Sequence, residues 1–151
     1  MPVSAESKYQ LLDLFIEMEA ALKQQPRYQR GHEGDRAGAD WARFARDVGP
    51  QLREHVSADI RQVLITRPPM QEIIVDGQPV YDEDTPALPG GQRWQSAGAR
   101  LVLASVRVRN NLFHGGKEDP KRERYMRHDQ AVVDAAIAVL THAQRLLRKM
   151  P

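Results

Sequence analysis

The chain has 151 residues, 41% of them hydrophobic and 28% charged, the composition of a globular protein able to bury a core without staples. It contains no cysteine, which excludes disulfides, thiol nucleophiles and cysteine-ligated zinc or iron–sulfur centres, and which is compatible with a cytoplasmic setting. The net charge of +2 hides an asymmetry: residues 1–91 carry 15 acidic and 10 basic side chains, residues 92–151 carry 5 acidic and 12 basic. A surface that meets phosphate is therefore expected from the last 60 residues, although a solvated basic face would give the same balance.

In chain order, residues 4–25 place Leu11, Phe15, Met18 and Leu22 at helical spacing, with Ser4 or Ser7 as cap and Pro26 as stop. Residues 26–39, rich in Gly, Arg, Gln and Asp, read as a mobile loop. Asp40 can cap a short helix carrying Trp41, Phe44, Ala45 and Val48. Gly49-Pro50 is expected to interrupt it before Leu52, Val56, Ile60 and Val63 resume the pattern, and Pro68-Pro69 to end that second helix. Asp76-Gly77 between two β-prone runs predicts a hairpin around residues 72–82, followed by loop to residue 91. Helical periodicity returns over residues 93–113 and stops at Gly115-Gly116. A charged connector, residues 117–128, leads to a last helix over residues 129–149, with Val133, Ile137, Leu140 and Leu147 on one face.

The expected fold is thus all-α: one domain over residues 1–151, a four- to five-helix bundle with a small β-hairpin insertion. The longest run without a charged residue spans only residues 135–144, against roughly 18 for a membrane helix, and the first twenty residues carry acidic groups where a signal peptide would start basic. No membrane association is expected.

On a wheel of about 100° per residue, Leu101, Val102, Ser105, Val106, Val108, Leu112 and Phe113 form one arc, and Arg109 falls inside it. An arginine directed into an apolar face is costly unless it is paired, hydrogen-bonded or open to an anion. The other readings are a side chain that snorkels to the bundle edge or a structural salt bridge. The surrounding string, Arg107-Val108-Arg109-Asn110-Asn111-Leu112-Phe113-His114-Gly115-Gly116-Lys117, supplies a permanent cation, two amides, an imidazole that titrates near neutrality and a glycine turn. Arg109 and His114 are five residues apart and would diverge by about 140° on an unbroken helix. They converge only if the helix ends near Phe113 or if a second chain contributes.

Arg109-Asn110-Asn111-Leu112-Phe113-His114, followed by Gly-Gly-Lys, resembles the R-x4-6-H signature of the HEPN superfamily, all-α domains many of which are metal-independent endoribonucleases. The motif covers about nine residues; the helical pattern agrees less specifically over most of the chain. The resemblance implies attack by the RNA 2′-hydroxyl on the adjacent phosphate, leaving a 2′,3′-cyclic phosphate, with Arg109 and His114 catalytic and Asn110 orienting one of them. It also implies a homodimer whose composite site brings two copies of His114 together, and the role of a toxin or anti-phage effector with a possible antitoxin or regulatory partner. Arg107, Asn111, Lys117, Lys121 and Arg122 would contact RNA. No cofactor and no metal are expected.

Other features carry less. His32, His55, His128 and His142 show no metal-ligand spacing, and His142 reads as a packing or solvent-edge residue. Glu118, Asp119 and Glu123 interrupt the basic run of the connector, which a solvated segment explains equally well. Trp41 and Trp94 are expected in the core. Two alternatives stand beside the ribonuclease: a non-catalytic HEPN-like domain that binds a partner or nucleotide, and a basic helical nucleic-acid-binding module in which Arg109 is structural.

Overall fold

The computed structural model describes residues 3–66, 71–82, 97–113 and 130–151. Among these residues there are five α-helices: α1 (Ala5–Lys23), α2 (Trp41–His55), α3 (Ala58–Thr66), α4 (Ala97–Phe113) and α5 (Gln130–Arg148). Two short antiparallel pairs accompany them, β1 (Gln29–Arg30) with β2 (Gly38–Ala39) and β3 (Gln71–Val75) with β4 (Gln78–Asp82). The protein is mostly helical, as expected. No helix among the described residues is long and apolar enough to cross a membrane.

Local chemistry explains the helix boundaries. Ser4 caps α1 by accepting the Ser7 N–H at 3.1 Å, and Asp40 caps α2 by accepting the Arg43 N–H at 3.0 Å. In α1, Leu11, Phe15, Met18 and Leu22 are the buried residues, the four picked out by their spacing. Leu11, Met18 and Leu22 join residues of all the other helices in one contiguous core. At the ends of α1 and α5, Ser4 N–H donates to Gln130 Oε1 at 2.8 Å and Gln144 Nε2 to Glu17 Oε2 at 3.2 Å. These helices therefore run side by side in the same direction.

Two expectations need correction. Gly49-Pro50 does not break α2, which continues to His55; the break falls at Val56-Ser57, where the Ser57 hydroxyl accepts the Ile60 N–H at 3.3 Å and starts α3. An interior proline loses one backbone hydrogen bond and crowds the carbonyl four residues back. Here Pro50 and Arg46 both lie on the exposed side of α2, and Gly49 is buried on the other. The glycine has a packing reason. A Cβ built on Gly98 of α4 would overlap the Gly49 carbonyl and lie 2.7 Å from its Cα, so the two helix backbones meet at these residues.

Residues 26–39 are not a loose loop either. Pro26–Tyr28 forms a 3-10 turn, and Tyr28 is buried with its ring centre 5.5 Å from that of Phe44, the two rings nearly perpendicular. Its hydroxyl donates to Asp47 Oδ2 at 2.8 Å, which also accepts from Arg27 Nε at 2.6 Å. The Arg27 hydrogen bond, aided by Tyr28, holds the Asp47 carboxyl below its ordinary pKa against the opposing effect of burial. One aromatic anchor thus pins a segment whose composition is that of a loop.

The hairpin follows from its turn. Asp76 and Gly77 have φ of 50° and 78°, the paired positive values of a type I′ turn, and Val75 pairs with Gln78 across two residues.

The backbone contact of α2 and α4 makes Gly98→Ala severely destabilising, because the added methyl meets backbone that cannot rotate away. The expected loss is about 3 kcal/mol or more, read as the midpoint of urea unfolding. A midpoint within experimental error of wild type would show that the helices do not cross so closely.

Candidate functional site

α4 turns Ala99, Leu101, Val102, Ala104, Ser105 and Val108 into the core. The Ser105 hydroxyl is fully buried and satisfied by donating to the Leu101 carbonyl at 2.8 Å. Arg109 follows one turn later on the same side and is half-buried. Its guanidinium carbon lies 4.3 Å from the centre of the Phe15 ring and 5.8 Å from that of Phe113. The first contact reaches across to α1; the second is an i, i+4 neighbour on α4 itself. Both distances fall within the range of cation–π attraction, about 0.5–2 kcal/mol depending on desolvation.

Arg109 Nη1 donates to Asn110 Oδ1 at 3.1 Å. Its Nε is buried and has no hydrogen-bond partner among the described residues, and none of the described carboxylates forms an ion pair with it. The arginine is therefore seated by aromatic faces and one amide rather than neutralised by a described acid. Of its in-plane donors, Nε is enclosed and Nη1 is engaged by Asn110.

Aromatic residues extend behind it. Phe15 stacks on Trp41 at 5.0 Å with an interplanar angle of 18°, and Trp41 meets Phe44 edge-on at 6.1 Å. The indole N–H of Trp41 is a second buried donor without a partner among the described residues. The chain has only three phenylalanines, and Phe15, Phe44 and Phe113 all belong to this cluster. Trp41, expected in the core, is half-buried against it, and the helical spacing that marked Phe15 gave no sign that its ring meets Arg109. The detectable signal was an arginine within an apolar arc and a phenylalanine one turn beyond it.

Arg107 and Asn111 are half-buried, one turn apart, on a side of α4 rotated away from Arg109. Asn110 is half-buried beside Arg109. His114, Lys117, Lys121 and Arg122 lie outside the described residues, as do His128 and Trp94. The groove bounded by Gln24, Arg27, Asp47 and Met150 does not include Arg109. Among the described residues, no three His, Asp or Glu side chains gather as metal ligands would.

His32 and His55 are exposed, whereas His142 on α5 is half-buried. Burial, then the nearby charges of Arg145 and His55, lower the His142 pKa from its ordinary 6.5. No family model matches the chain, and neither a curated protein nor a solved structure does.

The folded protein holds His142 neutral more strongly than the unfolded chain does. This contribution to stability is complete above about pH 6.5 and is lost as the pH falls below that value. Melting temperatures measured from pH 7.5 to 5.5 should fall, and His142→Gln should fall less steeply. Identical slopes in the two proteins would remove His142 from the acid response.

Proposed function

We propose that this chain is a HEPN-type, metal-independent endoribonuclease. The observation that carries the reading is the seat of Arg109 within the string Arg109-Asn110-Asn111-Leu112-Phe113-His114: a permanent cation, held on Phe15 and by Asn110, with no described carboxylate to neutralise it.

In this reading the RNA phosphate is gripped by the guanidinium edge, two parallel hydrogen bonds matching two phosphate oxygens. The 2′-hydroxyl loses its proton to a general base and attacks the adjacent phosphorus. The bond to the 5′-oxygen breaks, and that oxygen takes a proton from a general acid. Arg109 stabilises the charge that builds on the non-bridging oxygens of the pentacovalent state. His114 serves in proton transfer, and a second His114 from a partner copy supplies the other half of the exchange. The homodimer, the toxin or anti-phage role, a cytoplasmic setting and a regulatory partner belong to the same reading. So do RNA contacts by Arg107, Asn111, Lys117, Lys121 and Arg122.

Asn110 has a defined task here. Its Oδ1 accepts from Nη1, which fixes the rotation of the guanidinium within its own plane. Its carbonyl leaves the arginine's charge unneutralised, as a carboxylate in its place would not.

The purified protein is expected to cleave single-stranded RNA in EDTA and to leave 2′,3′-cyclic phosphate and 5′-hydroxyl ends. Arg109→Ala and His114→Ala should each lower the rate by about 100-fold or more with circular dichroism unchanged. Cleavage that persists in both variants would remove the site. RNA binding without cleavage by the wild type would instead leave a binding domain.

Asn110→Asp is expected to lower RNA affinity more than Asn110→Ala does, because the introduced carboxylate competes with phosphate for the guanidinium. Affinities from fluorescence anisotropy at fixed salt check the order. An aspartate variant that binds as wild type does would show that this position does not set the cation's availability.

A further inference from the structure

The geometry points to Phe15, 94 positions before Arg109 in the chain, as the positioning residue of that arginine. Phe15 belongs to α1, outside the string that carries the proposed chemistry, yet its ring is the nearer of the two aromatic faces against the guanidinium, 4.3 Å against 5.8 Å for Phe113. It is also the more firmly held. Only 5% of its surface is exposed, and the Trp41 ring stacks on it nearly parallel at 5.0 Å.

A planar cation needs two constraints to aim its donors. A face contact fixes the plane, and one in-plane hydrogen bond fixes the rotation within it. Asn110 supplies the second, and Phe15 supplies the first. The negative face of the ring attracts the cation without taking up any of its N–H donors. That leaves the outer edge of the guanidinium directed and, among the described residues, unspent, which an ion pair with a carboxylate would not. An aliphatic side chain at residue 15 would fill the space while giving no preferred plane.

The test pairs nuclear magnetic resonance with kinetics. The Arg109 Nε–Hε signal is assigned by its absence from the Arg109→Lys spectrum and followed in Phe15→Leu, Phe15→Tyr and Phe44→Leu. Phe44 lies in the same aromatic cluster, against Trp41 and Tyr28, so Phe44→Leu reports the effect of loosening the core alone. In the wild type the Hε proton should lie upfield of those of exposed arginines, because the ring current reaches it. Phe15→Leu should lose that shift, whereas Phe15→Tyr and Phe44→Leu should keep it. The cleavage readout rests on the ribonuclease reading: kcat should fall about tenfold in Phe15→Leu with KM within about twofold, and recover in Phe15→Tyr.

A wild-type Hε signal without the upfield shift would overturn the proposal, and needs no variant to fold. So would a folded Phe15→Leu that keeps both the shift and the wild-type kcat. A wild type that shows the shift, loses it in Phe15→Leu and cleaves no RNA would uphold Phe15 as the seat of Arg109 and reject the ribonuclease instead.

Discussion

A guanidinium cannot shed its proton to escape a poor environment, so a bundle that carries one on an inward-turned helix face must provide for the charge itself. Here the provision is a ring. Arg109 rests on Phe15, Phe15 rests on Trp41, and Phe44 closes the row from the edge. An ion pair would have met the cost of burial by cancelling the charge. The aromatic seat meets part of it by attraction to the ring face, and no described carboxylate cancels the charge.

That seat requires three helices to converge. Phe15 comes from α1, Trp41 from the first turn of α2 and Arg109 from the later part of α4. The contact of Gly49 with Gly98 lets α2, which carries Trp41, and α4, which carries Arg109, approach backbone to backbone. Stability and site are therefore coupled. The Tyr28 anchor, whose ring meets Phe44 and whose hydroxyl bonds Asp47, secures the far end of that row.

The helices were legible because their signals are local. Ser4 and Asp40 act as caps, the stripe of Leu11, Phe15, Met18 and Leu22 is the buried face of α1, and Asp76-Gly77 makes the hairpin turn that the dipeptide favours. Gly49-Pro50 misled because a glycine kept for close packing is indistinguishable in sequence from one that ends a helix. Tyr28 was hidden because its partners, Phe44 and Asp47, lie well along the chain and nothing near it is periodic. At the site, the inward direction of Arg109 could be read from a helical wheel. Its partner Phe15 could not, since helical spacing says which face is buried and not which residue it meets. Asn110 stood between these cases: its adjacency was visible, but its hydrogen bond depends on how the Arg109 side chain folds back.

In the proposed ribonuclease, Arg109 works as an oriented, planar cation and not as a general positive charge. The most direct measurement is the single-turnover rate of RNA cleavage in EDTA by Arg109→Lys, which keeps the charge but loses the planar fork and its stacking on Phe15. The expected result is a folded variant slowed by about 100-fold or more. A lysine variant that cleaves at the wild-type rate would contradict it.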